Sequence, residues 1–221
     1  MSRRDPKAAV FLHAGTETLV PSARWLDTLL EAGFAGVIFD CDGTLVDSAS
    51  AHLRAMQQAA ARQGTHMDRH WYEERGGLDR VSLFQAHRAA NSEAFDVACA
   101  VSDSLQSYPS HLAHVHPIGA TIRLLDALGS QGVPVAIATN AERDIARHSL
   151  RAAGLDGKVE TLTSISDGVR PKPAPDLFLL AAQRLGRRPG DLCVVEDSPQ
   201  GVQAAQAAGM AVLQLTAAKA G

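Results

Sequence analysis

The sequence predicts an α/β protein: a doubly wound parallel sheet with a smaller all-helical unit inserted into it. Three observations predict this. Residues 37–39 form a short apolar run, Val-Ile-Phe, that ends in two carboxylates, Asp40 and Asp42, followed by Gly43. From Pro117 onward, short β-branched runs alternate with helical patterns. Between these two parts, residues 49–116 keep helical periods without a convincing strand, roughly 70 residues where an ordinary connection has a handful. Alternating strands and helices call for a parallel sheet.

Composition limits the functional classes. The chain has 221 residues, 46% of them hydrophobic and 20% charged, enough to bury a sizeable core. A net charge of −3 with thinly spread Lys and Arg excludes the basic stripe of a nucleic-acid surface. No run reaches membrane-spanning length, and the basic start, Met1 to Lys7, is not followed by a signal-type apolar segment. Three cysteines without paired spacing, Cys41, Cys99 and Cys193, argue against a disulfide scaffold and for a reducing, cytoplasmic setting.

In chain order, residues 1–33 form an extension with one amphipathic helix. Ser22 is its expected N-cap, Trp25, Leu26, Leu29 and Leu30 its apolar face, and Gly33 its stop. The first core strand follows. An alanine-rich helix runs from Ala49 to about Gln63 and Gly64 ends it. After the helical block come helix 120–128, strand 133–138, helix 142–153, a short strand 159–162, helix 175–185, strand 192–195, helix 200–208 and strand 211–215. The last five residues, Ala-Ala-Lys-Ala-Gly, read as a frayed end. The divisions are therefore 1–33, a core of 34–48 and 117–221, and an insertion of 49–116.

Polar residues collect where three strands end: Asp40 and Asp42, then Thr139 and Asn140, then Glu196 and Asp197. In open α/β sheets this edge is the ligand crevice. Two carboxylates as close as Asp40 and Asp42 repel unless a shared proton or a cation relieves them, and a hard divalent cation suits oxygen donors. Taken singly, such endings are also ordinary turns and helix caps. Lys172 lies in Arg170-Pro-Lys-Pro-Ala-Pro175, where three prolines hold the loop stiff. A lysine held this way can neutralise phosphate oxygens and a carboxylate together. His111, His114 and His116 have metal-like spacing, but no acid or cysteine in register completes a site, and they read as solvated.

The stretch Asp40-Cys-Asp-Gly-Thr-Leu-Val-Asp-Ser48 resembles the first motif of the haloacid dehalogenase superfamily, in its sugar-phosphatase and β-phosphoglucomutase-like branch. Thr139, Lys172 and Glu196-Asp197 are similar to the remaining motifs in order and kind, and the resemblance spans 36 to about 215. It implies a Rossmann-like core with a helical cap at 49–116, and a Mg²⁺-dependent phosphomonoesterase acting on a small phosphorylated metabolite. It implies Asp40 as nucleophile and Asp42 as acid and base. The metal would be held by Asp40, the backbone carbonyl of Asp42, Glu196 and Asp197. Thr139, Asn140 and Lys172 would bind the phosphoryl group, and His52 and Arg80 would reach the substrate from the cap. A phosphomutase of the same fold and a non-catalytic phosphate-binding protein remain as alternatives, and the oligomeric state is open.

Overall fold

The computed structural model describes residues 5–216. Seven strands form one sheet. Its centre is β3 (Gly36–Phe39), flanked by β8 (Leu192–Glu196) and β6 (Val135–Thr139), with β7 (Thr161–Ser164) and β9 (Ala211–Leu215) outside them. These five are parallel. All four residues of β3 and all five of β8 are buried. Strands covered on both faces read as continuous apolar runs, which is why the sequence marks them clearly.

Side chains alternate between two cores, as the two-residue period of a strand requires. Phe39, Ile137, Cys193 and Leu213 face the core that includes Trp25, Leu29, Leu124 and Ile145, from α1 (Trp25–Glu31), α6 (Gly119–Ser130) and α7 (Arg143–Ala152). Ile38, Ala136, Val194 and Val212 face the other, which includes Phe178 and Ala204, from α8 (Asp176–Leu185) and α9 (Pro199–Ala207). Helices thus cover both faces, as expected.

The extension departs from its expected form. Besides the helix it supplies a hairpin, β1 (Ala8–His13) and β2 (Thr16–Pro21), that adds two antiparallel strands beyond β9. The turn is Ala14-Gly15, both at positive φ, 49° and 76°. An alanine where Asn, Asp or Gly usually stands removes the mark by which such a turn is read. Ser22 does not cap α1. It opens a 3-10 turn, its backbone N donates to the Lys7 carbonyl, and Arg24 takes the N-cap position without a side-chain bond. The expected frayed C-terminus lies outside the described residues.

The block after Ser48 is helical: α2 (Ala49–Arg62), α3 (Arg69–Glu73), α4 (Arg80–Asn91) and α5 (Val97–Ser107), then a 3-10 segment to His114. Asp68, Asp79 and Asp96 accept hydrogen bonds at the N-caps of α3, α4 and α5, which explains where those helices begin. Leu53, Met56, Leu83, Phe84 and Phe95 form a third apolar cluster inside the block. The chain enters and leaves it through a small antiparallel pair, β4 (Val46–Asp47) with β5 (His116–Pro117). His111 and His114 are half-buried and His116 is exposed. Among the described residues none of the three belongs to a metal-binding group, and His111 Nε2 lies 3.2 Å from Gln58 Oε1.

Trp25 anchors the hairpin to the core. It is 1% exposed, and its indole N–H donates to the Val20 carbonyl at 3.1 Å. Trp25→Ala removes both the packing and that bond and is expected to cost about 3–5 kcal/mol. Urea unfolding checks this: the midpoint falls with little change in slope, and an unchanged midpoint would refute it.

Candidate active site

The loop after β3 is tightly wound. The backbone N of Asp40 donates to Val195, those of Leu45 and Val46 donate to Cys41, and that of Gly43 donates to Val46. Gly43 has φ 93°, and a Cβ there would run into the Asp197 carboxylate. Only glycine lets the loop meet the end of β8.

Asp40, Glu196 and Asp197 come together, with one carboxylate oxygen of each within 4.8 Å of the others. Lys172 is 3% exposed and ties two of them together: Nζ donates to Asp40 Oδ1 at 2.6 Å and to Glu196 Oε2 at 2.8 Å. The same ammonium lies 4.7 Å from the centre of the Phe178 ring. Asn140 sets the lysine loop: its Oδ1 accepts from the Lys172 backbone N at 2.8 Å, and its Nδ2 donates to the Lys172 carbonyl at 3.1 Å. Nδ2 also donates to the Gly77 carbonyl of the helical block at 3.1 Å. The amide expected to bind phosphoryl oxygens is therefore committed to backbone partners.

Glu196 is equally occupied. Besides Lys172, its Oε1 accepts from the backbone N of Asp197, the backbone N of Ser198 and Ser198 Oγ, each at 3.0 Å. Gly201 leaves room for it, because a Cβ there would collide with the Glu196 carboxylate. This glycine has a steric role that spacing alone does not reveal.

Asp42 sits apart from the trio. Ser48 Oγ donates to its Oδ1 at 2.5 Å, His52 Nε2 lies 3.2 Å from the same oxygen, and Thr139 Oγ1 donates to Oδ2 at 3.3 Å. From His52 the contacts continue. Its Nδ1 is 3.5 Å from Arg80 Nη2, and Arg80 Nε donates to Glu142 at 3.2 and 3.3 Å. His52 and Arg80 thus both reach the site from the helical block, as expected, and Ser48 and Glu142 join them.

The electrostatics separate the two aspartates. Burial pushes the Asp40 carboxyl well above the usual range, the Glu196 charge adds to this, Lys172 opposes it, and Asp197 raises it again. Burial also acts to raise Asp42, but the charge and hydrogen bond of His52 outweigh it, with help from Ser48 and Thr139, and its carboxyl ends below the usual range. Burial acts to lower the Lys172 ammonium, yet Asp40 and Glu196 outweigh it and hold it well above its ordinary value. Three buried or half-buried carboxylates with one lysine leave an excess of negative charge. Hard oxygen donors in such excess suit a divalent cation. Asp40, Asp42, His52, Lys172 and Asp197 line one cavity of about 400 Å³, the size of a small-metabolite site, with Glu196 fully buried beside it.

Two acids at the end of a central parallel strand, a buried lysine from a proline-framed loop and an acidic pair on the next strand define a doubly wound α/β hydrolase. The chain belongs to the haloacid dehalogenase-like hydrolases, whose sequence model matches residues 34–209. It is 34% identical over 187 residues to hexitol phosphatase A of Escherichia coli K12, a match covering 82% of this chain and 83% of that one. It is 32% identical over 178 residues to fructose-1-phosphate phosphatase YqaB of the same organism, covering 80% and 94%. Among solved structures, a HAD family hydrolase from Deinococcus radiodurans R1 with bound phosphate and sodium is 33% identical, with a TM-score of 0.61 over 82% of this chain and 80% of that one.

The lysine is expected to hold the acids together even without substrate. Lys172→Met leaves two buried carboxylates without their cation, a loss of roughly 3–5 kcal/mol at neutral pH. Without it Asp40 rises further. A folded-state pKa above the unfolded value of about 4 means the proton favours the native state. Stability of the variant is then fully present below that value and is lost as pH rises through the folded one. Thermal unfolding from pH 4 to 8 in chelator checks this; a deficit against the native protein that does not grow with pH would refute it.

Proposed function

We propose that this protein is a Mg²⁺-dependent phosphomonoester hydrolase that works through an aspartyl-phosphate on Asp40 and acts on a small phosphorylated metabolite. The observation that carries this reading is the buried lysine shared by Asp40 and Glu196, with Asp197 beside them. Uncatalysed phosphate-ester hydrolysis is very slow, so electrostatic stabilisation of the transferring group is the main requirement. Asp40, Asp197 and the backbone carbonyl of Asp42 would hold the metal, with Glu196 contributing through water because its oxygens already have four donors. Mg²⁺ bound there supplies positive charge against the phosphoryl oxygens and keeps Asp40 ionised.

The protein's own groups carry the steps. An oxygen of the Asp40 carboxylate attacks phosphorus, and the bond from phosphorus to the ester oxygen breaks. Asp42 gives its proton to that departing oxygen. Water then attacks the aspartyl-phosphate, Asp42 takes its proton, and inorganic phosphate leaves with Asp40 restored. At rest, Ser48, His52 and Thr139 favour the carboxylate of Asp42, the form the second step uses. An entering phosphate raises its proton affinity, as the first step needs. Lys172 offsets phosphoryl charge, and Thr139 sits within reach of the same group. Residues 49–116 act as a cap over the core of 34–48 and 117–221, and its closure excludes bulk water. Three free thiols suit a cytoplasmic setting.

Phosphate release from an aryl phosphate tests the proposal. Turnover is expected to need Mg²⁺, to vanish in chelator and to return when Mg²⁺ is restored. Asp40→Asn is expected to reduce it to background, at least about 10⁴-fold, through loss of the nucleophile. Substantial activity in folded Asp40→Asn would refute the assignment.

Hydrolysis is favoured over phosphate migration within a substrate. A mutase must hold a second phosphate, yet residues 49–116 contain no lysine and the turn after Thr139 carries Glu142, which repels one. With β-glucose 1-phosphate and a trace of glucose 1,6-bisphosphate, free phosphate is expected to appear faster than glucose 6-phosphate. The reverse order would establish the mutase.

A further inference from the structure

The cavity has two ends of different character. Asp40 and Lys172 mark the end where the scissile phosphate binds. The other end is lined by Met56, Tyr72 and Leu83 of the helical block, together with the ion-paired Arg80 and Glu142. Among the described residues that line the cavity, Lys172 and Arg80 are the only lysine or arginine. Arg80 is therefore the one permanent cation available to a leaving group.

Arg80 is already engaged. Its side chain is 3% exposed, and Nε donates to both oxygens of Glu142, at 3.2 and 3.3 Å. Nη1 donates to Ser104 Oγ at 3.1 Å, and Nη2 faces His52. Glu142 is more open, at 20% exposure, and lies against the cavity. It stands at the N-cap position of α7, fixed by the backbone that follows β6, so it cannot easily withdraw. Two more lining acids, Glu73 and Glu74, stand at the rim, where Arg69, His70 and Arg75 accompany them at the exposed surface.

We propose that Glu142 is a specificity-determining residue. By neutralising Arg80, it reserves the leaving-group end for polyols or aminopolyols that carry no negative charge besides the scissile phosphate. Hydroxyl or ammonium groups can donate to the open oxygens of Glu142, and Tyr72, Met56 and Leu83 offer apolar surface to a carbon skeleton. A carboxylate or second phosphate would meet Glu142 first, while Arg80 is held by it. A pair that is already neutral gives a second anion no attraction to offset its desolvation, and this amounts to at least about tenfold in binding. The inference rests on the phosphatase reading above and adds to it which leaving groups are accepted.

The test compares kcat/KM on sorbitol 6-phosphate, phosphoglycolate and fructose 1,6-bisphosphate, with an aryl phosphate as reference. The native protein is expected to favour sorbitol 6-phosphate over both anionic substrates by at least about tenfold. In Glu142→Gln the ratio is expected to narrow about tenfold, mainly through a lower KM for the anionic pair as Arg80 is released. Glu142→Asp, which keeps the charge, is expected to keep the preference. Comparable constants on all three substrates in the native protein would overturn the proposal, as would an unchanged ratio in folded Glu142→Gln. If Glu142→Gln does not fold, the native ratios and Glu142→Asp decide. Absence of turnover on every ester, the aryl phosphate included, would overturn the phosphatase reading itself, whereas aryl turnover without discrimination overturns only this one.

Discussion

The Lys172 ammonium is the interaction on which the site depends. It lies between Asp40 and Glu196, carboxylates from two adjacent parallel strands that would otherwise repel in a buried setting. The rest of the site keeps that ammonium in place. Asn140 pins the lysine's backbone on both sides, Glu196 is fixed by three donors of its own turn, and Gly201 gives it room. The braces come from the segments after β6 and β8, the two strands that flank β3, so the parallel sheet is what makes the arrangement possible.

The same sheet carries two separate electrostatic tasks within one loop. Asp40 points to the lysine and the acid pair, where one ammonium faces three carboxylates. Asp42, two residues on, points to hydroxyls and an imidazole that already satisfy it. Opposite environments for neighbouring carboxylates are the usual way a protein assigns a nucleophile and a proton carrier. His52 and Arg80 extend the second environment into the helical block, and Asn140 ties the lysine loop to the same block at Gly77.

Much of this is legible in the amino-acid sequence. Four of the five parallel strands read clearly as buried apolar runs, whereas the edge strand β7, expected at 159–162, is a polar stretch two residues further on, and the acids follow from chain direction. Asp40, Asp42, Lys172, Glu196 and Asp197 do converge, and His52 and Arg80 reach them. What stayed hidden has a common cause: it depends on where a side chain points. Asn140 and Glu196 read as ligands in one dimension, and in three they also hold the backbone of the Lys172 loop and the Asp197–Ser198 turn. The partnership of Arg80 with Glu142 joins residues 62 positions apart, with nothing local to announce it. The hairpin was missed because Ala14 occupies a turn position that usually carries a recognisable residue.

That hairpin also alters how the molecule meets its neighbours. Without it, β9 would bound the sheet, and four of its five residues are buried, leaving a row of amide and carbonyl groups beside apolar side chains. Such a margin invites strand-to-strand association between molecules. With the hairpin in place the boundary passes to β2, where only Val20 is buried and Glu17 brings a charge. One exposed leucine, Leu19, is the remaining sticky point on that margin. The N-terminal hairpin thus covers the β9 margin and replaces it with a mostly exposed, partly charged one.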